Sequence, residues 1–212
     1  VSSSRLIRME IMAARSVDSV DRTDSGVHSV SRWRAHAKRR PLRYRLAVIA
    51  PDETDVVRHA GGWLFDRSAA GWEVTVLVPE PRNVYPLQIL GATVLDLRKS
   101  LPGGGHSAWP TAVAVSADMY RWDPMIREGL IDCLDRGLLE VVVWGDRLPA
   151  ELDGRVGTSY HRVSVAARAF KTRALAAAGL PAGAAETTER FRTGELLPPS
   201  YRTHLRDLES AG

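Results

Sequence analysis

The side chains best suited to act on a ligand follow short aliphatic runs rather than standing alone. Asp52, Glu53 and Asp55 come just after residues 46–50; Glu80 and Arg82 after 73–78; Asp96, Arg98 and Lys99 at the end of 93–97. Ser116, Asp118, Tyr120 and Trp122 follow the run 111–116, and Trp144, Asp146 and Arg147 close the run 140–144. Carboxylates take protons or cations, hydroxyl and guanidinium groups take phosphate or carboxylate oxygens, and aromatic rings bury large areas with few rotors. Asp52, Glu53, Asp96, Ser116, Tyr120, Trp122, Trp144 and Arg147 are therefore the candidate ligand or partner edge. No catalytic role attaches to any one of them at this level.

For these residues to meet, the runs must lie side by side. Short Val, Leu, Ile and Ala stretches alternate with helical periodicity from Arg45 onward, the pattern of a parallel sheet covered by helices. The expected fold is α/β, a three-layer sandwich with a five-stranded, mostly parallel sheet of flavodoxin-like or Rossmann-like type. In such sheets ligands bind at the carboxyl ends of the strands. A helix is expected over 55–70, with Thr54 or Asp55 as its N-cap and Gly71 as its stop. Asp123 and Pro124 start another, whose Ile126, Leu130 and Leu134 recur until Gly137. A turn or two is expected at 85–90, a loop without helix over 98–110, and a long Ala-rich helix over 162–178. The domains are then a basic arm at 1–43, an α/β domain at 44–180, and a linker with a C-terminal helix, 201–208, in 181–212.

Several chemistries are disfavoured. The loop after the first strand lacks the glycines of a dinucleotide or P-loop phosphate cradle and carries three carboxylates instead. Gly61 and Gly62 fall inside a helix, where they serve close packing or a bend. The run Gly103, Gly104, Gly105 and His106 reads as a surface loop. The six histidines, at 28, 36, 59, 106, 161 and 204, show no metal-ligand spacing, and the single Cys133 excludes a cysteine-based zinc site and any disulfide within the chain. No metal and no cofactor follow from the sequence.

One stretch carries a resemblance. Val94, Leu95, Asp96, Leu97 and Arg98, followed by Leu101, Pro102 and glycines, resembles the phosphoacceptor segment of response-regulator receiver domains. Val113 to Ala117 resembles their fourth strand, and Arg147 lies where they carry a lysine, with Trp144 at their switching aromatic. The resemblance spans roughly residues 45–156. It implies that Asp52 and Glu53 bind Mg²⁺ with Asp96, that Asp96 accepts a phosphoryl group, and that Ser116 and Arg147 hold its oxygens. Arginine in place of lysine, and Ala50 and Pro51 at the acidic pair when the first strand is matched without a gap, imply a degenerate module that is not phosphorylated.

Charge divides the chain. Residues 1–45 carry ten Arg and one Lys against four acidic residues, a net of +7, while the remaining 167 carry 18 basic and 21 acidic residues, a net of −3. Such an arm suits an acidic partner, so nucleic acid is an expected partner of residues 1–43. Arginine outnumbers lysine 26 to 3 beside abundant Ala and Gly, which reads as a GC-rich genome. No secretory or membrane-spanning segment is visible, so a cytoplasmic location and no membrane partner are expected. The leading functional expectation is a non-catalytic regulatory or binding module, with a protein partner or a homodimer through the Ala-rich helix. The competing one is an enzyme acting on a nucleotide or phosphorylated small molecule, recognisable by a concave pocket at the sheet edge.

Overall fold

The structure, a computed structural model, describes residues 44–100, 110–137, 139–181, 183 and 185–194. The basic arm, the glycines with His106, Trp109 and the expected helix 201–208 lie outside the described residues. The elements run β1 (Arg45–Ile49), α1 (Glu53–Ala69), β2 (Glu73–Val78), α2 (Tyr85–Ile89), β3 (Thr93–Asp96) and α3 (Leu97–Ser100). They continue with β4 (Ala112–Ser116), α4 (Ala117–Trp122), α5 (Pro124–Arg136), β5 (Glu140–Trp144), a 3₁₀ turn (Ala150–Leu152), β6 (Val156–Arg162), α6 (Val165–Ala177) and β7 (Thr188–Gly194).

The five aliphatic runs pair in parallel, in the order β3-β2-β1-β4-β5, and β7 and β6 extend that sheet beyond β5 by antiparallel pairing. The sheet thus has seven strands rather than five. Alternation along each strand feeds two cores: Leu46, Val48, Val76 and Ala114 face α1, α2 and α6, while Ile49, Val113, Val115 and Val143 face α4 and α5. The three-layer arrangement follows from that two-sided burial.

The differences from expectation have local causes. The loop expected over 98–110 begins with the short helix α3, where Asp96 accepts the amides of Arg98 and Lys99. The long helix starts at Val165, because Ser164 caps it through the Ala167 amide and the residues before it pair with β7. The segment read as linker contains β7, whose Phe191 and Glu189 are buried against α1. One face of the Ala-rich helix α6, with Ala167, Lys171, Ala174 and Leu175, is buried and packs on α1 and α2, while Ala166, Ala169 and Ala176 stay exposed.

Helix α1 is held along its length by other layers. Its N-cap is Asp52, accepting the Asp55 amide at 2.8 Å, rather than Thr54 or Asp55. In its middle, Lys171 Nζ donates to the Arg58 carbonyl at 2.7 Å, and Glu189 accepts the amides of Gly62 and Trp63 at 2.8 and 2.7 Å. The Arg58 carbonyl and Gly62 amide are the i and i+4 groups that a helix ordinarily joins to each other. Lys171 and Glu189 form an ion pair at 2.6 Å with side chains 1% and 2% exposed. Gly62 admits this clamp: a Cβ there would lie 2.6 Å from Val163. Close packing, not hinge freedom, accounts for the glycine pair.

Candidate functional site

Strand order decides which loops meet. The order reverses between β1 and β4, and a cavity of about 380 Å³ opens at the carboxyl edge where the segments after β1, β4 and β5 converge. That size falls within the range of about 300–1,000 Å³ for small-molecule sites. The cavity is half open to solvent and lies at the expected carboxyl edge of the sheet.

The cavity is built around one side-chain relay. Trp144, 1% exposed at the end of β5, donates its Nε1–H to Asp55 Oδ2 at 2.9 Å. Asp55 Oδ1 lies 3.0 Å from His59 Nδ1, one helical turn along α1. The same nitrogen lies 3.0 Å from the Asp55 carbonyl oxygen. Facing two acceptors, Nδ1 must carry the proton, so in the neutral imidazole Nε2 holds the lone pair. This is the division of labour of a general base oriented by a carboxylate.

The hydrogen bond to Asp55 raises the His59 pKa above its ordinary 6.5; burial opposes the shift, and the charges of Asp55 and Asp146 reinforce it. Asp118 pairs with Arg121, whose guanidinium also donates to the Arg147 carbonyl at 3.1 Å. Asp146 and Arg147 then remain as the lining charges without an ion-pair partner among the described residues. They follow Gly145, whose φ of +127° and approach to Ala117 both require a glycine at the turn leaving β5.

Of the eight residues expected at the edge, Ser116, Trp122 and Arg147 line the cavity, and Trp144 supports it from behind. Ser116 caps α4 through the Asp118 amide. The other four do not join them. Asp52 is occupied as the α1 cap. Glu53 is buried and accepts the amides of Arg82 and Asn83 at 2.7 and 3.0 Å. Tyr120, on α4, is fully buried in the core. Asp96 stands on the edge strand with β2 between it and β1, and caps α3 while pairing with Lys99. The Mg²⁺ and phosphoryl arrangement implied by the receiver resemblance needs Asp96 beside Asp52 and Glu53. Flavodoxin-like and receiver sheets meet that need with the order 2-1-3-4-5, which is not the order here.

His59 was visible in the sequence only as one of six scattered histidines. Its i, i+4 spacing from Asp55 on a helical face was the available signal.

No family model and no curated protein matches the chain. Among solved structures it is similar to a deacetylase of teicoplanin biosynthesis in complex with teicoplanin. There the identity is 14% and the TM-score 0.51, with 71% of this chain and 98% of that one covered. A zinc-inhibited form of teicoplanin deacetylase matches at 13% identity and TM-score 0.45, with 63% and 83% covered. The 4-carboxy-2-hydroxymuconate hydratase from Pseudomonas putida KT2440 matches at 11% identity and TM-score 0.49, with 73% and 97% covered. The chain shares the mixed α/β fold of the first deacetylase.

Among the described residues no three His, Cys, Asp or Glu side chains gather as a cation needs, and both Asp55 oxygens already accept hydrogen bonds. No helix among the described residues is long and apolar enough to cross a membrane.

Proposed function

We propose that the protein is an enzyme performing general-base chemistry on a small molecule bound at the carboxyl edge of the sheet. His59 Nε2 takes a proton from a bound water or from the substrate itself, and Asp55, steadied by Trp144, stabilises the imidazolium that forms. No hydrogen bond joins His59 to Ser116, whose hydroxyl oxygen accepts the Asp118 amide at 3.3 Å, which favours water or substrate over a serine nucleophile as the proton donor. In an acyl hydrolysis the water oxygen bonds to the carbonyl carbon as its proton passes to Nε2; the bond from that carbon to the departing group then breaks, and the departing group takes the proton from Nε2 with the electron pair of the broken bond. The deacetylation named for the first structural neighbour is a reaction of this class. Arg147 is the guanidinium placed to take a phosphate or carboxylate group on the substrate.

The observation that carries this reading is the Trp144–Asp55–His59 relay opening on the cavity. A pH titration of the imidazole nitrogens by ¹⁵N NMR tests it, together with turnover of p-nitrophenyl acetate by the wild type and His59→Ala. The expected result is an Nδ1-protonated neutral ring, a pKa above 6.5 that falls in Asp55→Asn, and turnover that depends on His59. An ordinary titration with hydrolysis indifferent to His59 would overturn it. The non-catalytic regulatory reading has no comparable feature in its favour among the described residues.

A further inference from the structure

We infer that the cavity selects a planar, anionic small molecule whose ring stacks on Trp122 and whose anionic group pairs with Arg147. The inference rests on the cavity being the substrate site and adds the class of substrate.

The tryptophans differ sharply in what they touch. Trp63 packs against Phe191 at 5.2 Å between ring centroids, Trp72 stacks on Tyr44 at 5.0 Å, and Arg67 lies over both indoles. Trp144 is buried and hydrogen-bonded to Asp55. Trp122 is 66% exposed, lines the cavity, and is the one described tryptophan without a ring, cation or hydrogen-bond partner. An indole left bare beside a concave polar site offers a large flat face at little conformational cost, the usual anchor for another ring.

Its mounting is rigid. Trp122 is the last residue of α4, and the next residue, Asp123, caps α5 by accepting the amides of Met125 and Ile126 at 2.9 and 3.3 Å. The indole therefore stands on a fixed corner between two helices. The neighbouring Arg121 spends its guanidinium on Asp118 and on the Arg147 carbonyl, which ties the loop after β5 to that same corner. Arg147 is left with its own guanidinium exposed and without an ion-pair partner among the described residues. Of the two guanidiniums lining the cavity, Arg121 is paired with Asp118, which leaves Arg147 for the anion of a ligand. Trp122, Arg147 and His59 thus line one cavity.

The test is calorimetric binding to the intact chain of adenosine 5′-monophosphate, benzoate, adenosine and ribose 5-phosphate. The first two supply a ring with a phosphate or a carboxylate; the last two supply ring or anion alone. At least one of the first pair is expected to bind more tightly than either of the last two. Trp122→Ala should weaken that ligand about ten-fold and leave ribose 5-phosphate unchanged. Arg147→Gln should weaken the same ligand about ten-fold while leaving adenosine unchanged. Both side chains are exposed, so the variants keep the fold, which thermal melting verifies. Absence of binding by both ring-bearing anions, or equal binding to wild type and Trp122→Ala, overturns the inference. Trp122-dependent binding with an ordinary His59 titration would leave this inference standing and remove the catalytic one.

Discussion

Helix α1 carries the carboxylates of two Asp–His pairs, and they are put to different uses. Asp55 and Asp66 are eleven residues apart, about three turns, and so lie on nearly the same helical face. Asp55 divides its oxygens between the Trp144 indole and His59, and its histidine borders an open cavity. Asp66 accepts from His161 Nε2 at 2.7 Å, from the Ser164 hydroxyl at 2.6 Å and from the Ser164 amide at 3.1 Å. Its three donors belong to the junction of β6 and α6, so the carboxylate works as a latch. Burial works to raise the Asp66 pKa, but the hydrogen bonds from Ser164 and His161 outweigh it and leave the pKa below 3.8. An Asp–His contact is thus no sign of chemistry by itself. What separates the two is that Asp55 and His59 line the cavity, whereas Asp66 and His161 do not.

The contrast is most exposed to loss of the rings. His59→Ala should lower turnover by about 10²–10⁴-fold, as removal of a general base does, whereas His161→Ala should leave it unchanged. Comparable losses in both variants would erase the distinction.

The clamp between the two pairs comes next. Glu189→Leu leaves the buried Lys171 cation unpaired and should cost about 3–5 kcal/mol in urea unfolding, most of it recovered in Lys171→Met/Glu189→Leu. A single variant as stable as the wild type would show that the clamp does not hold α1.

A smaller effect is expected at the latch. Asp66→Asn should cost about 1–3 kcal/mol of stability without moving the His59 titration, read by ¹⁵N NMR. Its stabilisation is present above the unfolded carboxyl pKa and fades as pH falls through the depressed folded value.

The smallest effect concerns His59 and has the opposite sign. Its folded pKa is raised, so its contribution to stability is fully present below 6.5 and is lost as pH rises through the folded value. Thermal melts of wild type and His59→Gln should therefore converge as pH increases, while turnover by the wild type rises over the same interval as Nε2 loses its proton. Melting curves that diverge with pH would reverse the assignment.

The sheet was legible where burial is two-sided. Glu73–Val78 and Glu140–Trp144 coincide with the aliphatic runs because a strand covered on both faces must be apolar throughout. Pro124–Arg136 was equally plain from its cap, its first-turn proline and Gly137 at φ +60°. The two added strands were not legible. Val156–Arg162 is an edge strand with no buried residue, and Thr188–Gly194 hides a buried glutamate behind charged neighbours. Their pairing is fixed by partners distant in sequence. The site was legible in part for the same reason: strand ends located Ser116, Trp122, Trp144 and Arg147, but the choice between Asp55 and Asp96 depended on strand order. Local pattern carries no information on which of two parallel strands sits beside the first.

The clamp on α1 also sets a timetable for the growing chain. The amides of Gly62 and Trp63 find their carboxylate 127 and 126 residues later, at Glu189. A nascent polypeptide leaving the ribosome carries the turn that bears His59 long before the anion that secures it has been made. Such a distant closure slows folding and makes β7 a checkpoint on α1. Fragments ending ahead of residue 188 should consequently present the Asp55–His59 turn unsecured, with rapid amide hydrogen exchange at Gly62 and Trp63.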